Sequence, residues 1–292
     1  MDVTRKAAKF NESFAMKTIQ LPGGAAVPAL GQGTWKMGEN AREAKREADA
    51  LRLGIDLGMT LIDTAEMYAE GGSEEVVARA IAGQREQVFL VSKVYPHNAS
   101  RQGLPAACER SLRRLRTEVI DLYLLHWRGS VPLAETVGAF EDLRVAGKIR
   151  AWGVSNFDVD DLEELGEHAI GACATDQVLY NPEYRGPELD LLPWCAGRRM
   201  PVMAYSPVGQ GGALLRHRTL ATIAAKHGAT PAQVCLAWGL RQENVVVIPK
   251  ASDEAHVRAN AAALDLSLDA EDLRQIDADF PAPTAKQPLA ML

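Results

Sequence analysis

The sequence predicts an α/β protein folded as one (β/α)8 TIM barrel, with an N-terminal β-hairpin and extra helices near the C-terminus. Eight short apolar runs alternate with stretches of helical periodicity, with no low-complexity linker between them. The runs are short and apolar, as expected of parallel strands buried on both faces. Three of them end in reactive groups: Thr60-Leu61-Ile62-Asp63 in an acid, Val88-Phe89-Leu90-Val91-Ser92-Lys93 in an amine, and Ile120 through His126 in an imidazole. Core packing gives no reason for such an arrangement. In a parallel barrel, strand ends converge on one face, where active sites form.

The elements follow in order. Residues 1–15 carry no pattern and are set apart as an arm of unknown role; residues 16–292 form the barrel domain. Lys17–Leu21 and Ala25–Pro28 flank Pro22-Gly23-Gly24, a hairpin whose glycine pair supplies the positive φ of a tight turn. Ala29–Trp35 is the first barrel strand, and later strands begin near Thr60, Val88, Ile120, Arg150, Ala174, Met200 and Asn244. Helical periodicity fills Ala41–Leu57, Glu74–Ile81, Gly103–Leu115 and Ala134–Ala146. Ser73 is positioned to cap a helix whose first turn holds Glu74 and Glu75, Pro132 opens the fourth helix and Gly147 stops it. Thr230-Pro231 opens Ala232–Leu240, which with Arg218–Lys226 makes two helices between strands seven and eight; two more follow near Glu254–Ala263 and Asp269–Ala278.

Composition narrows the function. The 292 residues are 47% hydrophobic and 24% charged, ordinary for a globular chain, and the net charge of −6 argues against nucleic acid or an anionic membrane as main partner. Cys108, Cys173, Cys195 and Cys235 form no C-x-x-C pair, so reduced thiols in a cytoplasmic protein are expected. No apolar run approaches the roughly 20 residues of a membrane span, and the first residues lack the apolar centre of a secretory signal. No metal-ligand motif occurs. Gly31-Gln32-Gly33-Thr34-Trp35-Lys36 lacks the third glycine of a dinucleotide fingerprint, and there is no Walker, H-E-x-x-H or G-x-S-x-G sequence.

Asp63, Lys93 and His126, with Tyr68 just downstream of Asp63, read as a catalytic centre. Each residue alone has a plainer reading: Tyr68 as a boundary tyrosine, His126 as a satisfied core histidine, Lys93 and Asp63 as a structural ion pair.

The motifs GTWK (33–36), LIDTAEMY (61–68), GGSEE (71–75), VSKV (91–94), DLYLLHW (121–127), GVSNF (153–157), TDQVLYNP (175–182), AYSP (204–207) and IPK…HVRAN (248–260) occur in an order and spacing that resembles the aldo-keto reductases over residues 17–282. The set is most similar to bacterial members that reduce small aldehydes such as methylglyoxal. The resemblance implies a catalytic tetrad of Asp63, Tyr68, Lys93 and His126. Carbonyl reduction needs a hydride donor for carbon and a proton donor for oxygen, and a free tyrosine with a pKa near about 10 is a poor acid–base partner at neutral pH. Lys93 is expected to lower the Tyr68 pKa, Asp63 to hold Lys93 charged, and neutral His126 to donate to the carbonyl oxygen.

The resemblance also implies NADPH as cofactor, with NADH a weaker donor. Ser155, Asn156 and Gln177 are expected on the nicotinamide carboxamide, Tyr205 on its ring, and Gly33, Thr34 and Trp35 beside it, with Asp63 close by. Ser206 and Pro207 open a loop over the pyrophosphate. Lys250 meets the 2′-phosphate, with Ser252 and Asn260 at the adenine end. His256 stands where many members place an arginine and Arg258 lies two residues on, which weakens discrimination against NADH because a lysine lacks the guanidinium fork.

Only twelve residues follow Phe280, a short tail that resembles open-mouthed members and predicts small aldehydes and 2-oxoaldehydes over steroids. Trp35, Trp127 and Met67 are read as an apolar wall beside Tyr68 and His126, or as rim packing. A Schiff-base aldolase using Lys93 and a slow cofactor-sensing subunit are the alternatives. The expected partner is a small carbonyl compound, in a monomer or weak homo-oligomer.

Overall fold

A computed structural model describes residues 16–292; the expected arm, residues 1–15, lies outside the described residues. β1 (Thr18–Gln20) and β2 (Ala26–Pro28) pair antiparallel, turned by Gly23 at φ 102° and Gly24 at φ 85°. Eight parallel strands follow: β3 (Gln32–Gly33), β4 (Leu61–Asp63), β5 (Phe89–Val94), β6 (Ile120–Leu125), β7 (Ile149–Ser155), β8 (Cys173–Leu179), β9 (Val202–Tyr205) and β10 (Val245–Val247). Each pairs with the next, and the sheet curls until its edges meet through parallel bridges Leu30–Val247 and Gly33–Lys250. The closure needs a bare backbone at position 33, where a Cβ would stand 2.9 Å from the Ile248 carbonyl oxygen. β6 and β8 are buried at every position, as expected of parallel strands covered on both faces.

Helices cover the outside: α1 (Ala44–Asp56), α2 (Gly72–Ile81), α3 (Gly103–Leu115), α4 (Leu133–Val145), α5 (Val159–Glu164), α6 (Glu167–Ala172), α7 (Leu191–Gly197), α8 (Arg218–His227), α9 (Pro231–Leu240), α10 (Glu254–Ala262) and α11 (Ala270–Asp279). Thr230 caps α9 in a reciprocal box with Gln233, with Pro231 at the first helical position. The first barrel strand is shorter than Ala29–Trp35, because its ladder ends at Gly33.

The start of α2 departs from the expected cap. The helix begins at Gly72, and Ser73 lies inside it, fully buried, with its hydroxyl bonding Thr34 Oγ1 at 2.7 Å and Thr64 Oγ1 at 3.0 Å. Glu74 is buried too, taking Ser92 Oγ and Arg114 Nε, both at 2.6 Å. These side chains pin the loops after β3 and β4 together instead of completing a solvated helix end.

The two ends of β6 carry different chemistry. At its start Asp121 is buried and takes Leu90 N at 2.8 Å, Arg85 at 2.7 Å and Arg150 at 2.8 Å, a structural clamp. At its finish His126 opens onto a cavity. No described helix is long and apolar enough to cross a membrane.

Candidate active site

Asp63 is the last residue of β4, Lys93 the penultimate residue of β5, and His126 follows β6 directly, its N–H donating to Val94 O at 3.1 Å. Sheet hydrogen bonding therefore fixes three of the four side chains. Tyr68 opens a 3-10 turn after β4. That turn is strained: Ala69 at φ 50° and Glu70 at φ 53° are successive left-handed non-glycine residues, followed by Gly71 at φ 92°. Thr34 Oγ1 donates to Asp63 O at 2.9 Å and joins this bend to Ser73.

The turn brings Tyr68 to Lys93. The Lys93 ammonium, with no solvent exposure, donates to Asp63 Oδ2 at 2.8 Å, to Thr64 O at 2.9 Å and to the Tyr68 hydroxyl oxygen at 3.2 Å. Asp63 Oδ1 takes the Gln177 amide at 2.8 Å. The Tyr68 and His126 rings meet edge-on with centroids 5.7 Å apart.

The electrostatics correct one expectation. Burial, helped by the Asp63 carboxylate, pushes the Tyr68 phenol well above its ordinary value, so Lys93 does not leave it acidic. Tyr68 lines the cavity and is otherwise largely enclosed by protein. The phenol therefore retains its proton at neutral pH. Burial lowers the Lys93 pKa against the opposing pull of Asp63. Burial, with Lys93 adding to it, holds His126 well below the usual imidazole range and keeps the ring neutral. His126 Nδ1 is buried with no partner among the described residues.

Asp63, Tyr68 and His126 open into a cavity of about 400 Å³, and Lys93 stays behind them, outside its lining. One wall is a joined polar group: Ser155 Oγ donates to Gln177 O at 2.8 Å, Asn156 Nδ2 to His126 O at 3.0 Å, and Tyr205 OH to Asn156 Oδ1 at 2.9 Å. Asn156 (φ 60°) and Ser206 (φ 48°) adopt left-handed backbone at this wall, and Asn181 steadies it by donating to Ser206 O at 2.9 Å. The cavity continues past Gly33, Thr34, Trp35 and Pro207 to Lys250, His256 and Asn260.

The profile of the aldo/keto reductase family matches residues 29–279. The chain belongs to that family. Methylglyoxal reductase YeaE of Escherichia coli K12 is 54% identical over 281 residues, covering 94% of this chain and 99% of the relative. Glyoxal reductase of Bacillus subtilis 168 is 38% identical over 261 residues, covering 89% and 92%. A Klebsiella pneumoniae aldo/keto reductase solved in complex with NADP and acetate superposes with a TM-score of 0.92 at 52% identity, covering 95% of this chain and all of that one.

Within this aldo/keto reductase, thirteen of the fifteen expected cofactor contacts line the cavity. Ser252 and Arg258 do not. Ser252 instead meets Lys250 Nζ at 3.2 Å, and Arg258 turns along its helix to Glu254 at 2.9 Å. His256 pairs with Asp253, the cap of α10, at 2.5 Å. Trp127 and Met67 both line the cavity. The sequence did not mark Lys36, Val208, Gln210, Gly211, Leu215, Ala232, Ile248, Met291 and Leu292 as lining residues. Lys36 was visible at the end of GTWK, and the Gly209–Gly212 run after AYSP signals a loop able to lie against a ligand. Residues 291 and 292 of the short tail also line the cavity.

Proposed function

We propose that this chain is an NADPH-dependent reductase of small aldehydes and 2-oxoaldehydes, methylglyoxal among them, with Tyr68 as the proton donor. The observation that carries the reading is the Lys93 ammonium, held by Asp63 at 2.8 Å and reaching the Tyr68 hydroxyl at 3.2 Å behind a cavity that His126 also lines.

The residues present fit a nicotinamide dinucleotide. The amide and hydroxyl groups of Ser155, Asn156 and Gln177 suit a carboxamide, and the Tyr205 ring offers a flat apolar face beside them. Exposed Lys250 lies at the other end, where barrels of this kind gather phosphate. The Klebsiella neighbours were solved with NADP and with NADPH, and the curated relatives reduce methylglyoxal and glyoxal by name.

When bound, the reduced nicotinamide supplies a hydride to the carbonyl carbon. The protein's part is the oxygen. Neutral His126 offers an N–H that orients and polarises the carbonyl, and Tyr68 gives its hydroxyl proton to the forming alkoxide. The phenolate left behind is stabilised by the Lys93 ammonium, and water restores its proton after product leaves. A raised phenol pKa suits this direction, since the donor must arrive protonated; Lys93 matters after transfer, when a negative charge exists for it to hold. A Schiff-base role for Lys93 finds no support, because its amine is tied to Asp63 and does not reach the cavity.

The test is a carbonyl panel with NADPH in excess. Methylglyoxal and short aldehydes are expected to be turned over better with NADPH than with NADH, with some turnover by NADH. A steroid ketone reduced more efficiently than methylglyoxal, or equal kcat/KM for the two cofactors, refutes the reading.

A further inference from the structure

The segment after α11 is tied down at three points. Arg185 fixes its start, donating to Phe280 O and pairing with Asp277, each at 2.6 Å, while the Phe280 ring packs on His217 at 4.6 Å. Lys286 then reaches two carboxylates on different loops, Asp158 and, at 2.6 Å, Asp190. Leu289 packs against the core, and Met291 and Leu292 line the cavity.

Asp158 has a second task. It caps α5, its Oδ1 accepting from Val159 N at 2.8 Å, and it stands two residues beyond Asn156. Asp190 holds the corresponding place before α7. One ammonium therefore joins the last segment of the chain to the loop that carries Ser155 and Asn156. Met291 and Leu292 are 55% and 64% exposed, so little besides this anchor and Leu289 keeps them at the cavity.

We propose that Lys286 is a positioning residue that sets substrate size: by bridging Asp158 and Asp190 it holds residues 281–292 across the cavity mouth, with Met291 and Leu292 as an apolar outer wall that admits short aldehydes and obstructs bulky aromatic ones. The inference rests on the proposed carbonyl reductase activity and adds a determinant of which carbonyls enter. The Lys286 side chain is 46% exposed, so the latch is a bias rather than a lock, and releasing it shifts the population of closed tails instead of unfolding anything.

The experiment compares wild type, Lys286→Met and Lys286→Arg. Hydrogen exchange of residues 281–292 is measured on the cofactor-free protein, and kcat and KM at saturating NADPH are measured for methylglyoxal and for 2-naphthaldehyde. Lys286→Met is expected to speed exchange of the segment, raise KM for methylglyoxal with kcat nearly unchanged, and move the kcat/KM ratio about fivefold toward the naphthyl aldehyde. Lys286→Arg keeps the charge and is expected to behave as wild type. Met291→Ala, which trims the wall and leaves the latch, is expected to shift the same ratio without faster exchange. Unchanged exchange and an unchanged ratio in Lys286→Met overturn the proposal. Wild type inert toward both aldehydes defeats the reductase reading instead, and the exchange measurement still judges the latch.

Discussion

Replacing Lys93 with methionine removes one charge to which the structure assigns one task and the proposed mechanism a second. One is to neutralise Asp63, whose carboxylate is buried at 2.8 Å from the ammonium. Removing one partner of a buried pair costs about 3–5 kcal/mol of stability, here toward the lower end because Gln177 still donates to the other oxygen. The other task is to hold the phenolate after proton transfer. At the observed 3.2 Å, with an effective dielectric of about 20, the ammonium–phenolate attraction is about 5 kcal/mol. Lost from the transition state, that corresponds to a fall in kcat of about 10³–10⁴-fold. The two tasks separate in the double variant Asp63→Asn, Lys93→Met, which has no stranded carboxylate and is expected to recover most of the lost stability while staying inactive. The assay pairs thermal unfolding with NADPH consumption on methylglyoxal and with NADPH fluorescence titration. A Lys93→Met enzyme retaining more than about a tenth of wild-type kcat refutes the reasoning, as does activity returning in the double variant.

Two further outcomes follow from the same structure. Asp176 is fully buried beside the Ser155–Asn156 loop, with one oxygen unpartnered, and burial holds its carboxyl well above the usual carboxylate range. The folded protein thus keeps a proton that the unfolded chain releases above about pH 4, so stability falls as pH rises from there through the folded pKa. Asp176→Asn is expected to raise the melting temperature over wild type more at about pH 8 than at about pH 4, and an equal gain at both contradicts this. Lys250→Met, at an exposed cation, is expected to weaken NADPH binding about tenfold and leave NADH unaffected, read by titration with both.

Much of this was legible in the sequence because barrel strands state their own ends. Asp63, Lys93 and His126 close apolar runs, and sheet pairing then leaves their side chains little choice of direction. What stayed illegible depends on contacts distant along the chain. Ser73 looked like a cap because serine before two glutamates is a local signal, yet Thr34, 39 residues away, claims its hydroxyl. The phenol of Tyr68 was expected to be acidic from its lysine neighbour, and burial with Asp63 prevailed. Arg258 sat in a matching motif but faces Glu254 along its own helix. The return of Met291 and Leu292 depends on Lys286 meeting two aspartates, the nearer of them 96 positions away in sequence, which no local pattern announces.

The account stands or falls on the hydroxyl of Tyr68 as the source of the proton. Its most direct measurement is Tyr68→Phe, which deletes one oxygen and leaves the cavity wall intact. NADPH affinity by fluorescence titration is expected to stay within about twofold, while kcat for methylglyoxal falls by about 10²–10⁴-fold, the usual worth of a positioned acid. Turnover near the wild-type rate in Tyr68→Phe, with the cofactor bound, contradicts the account.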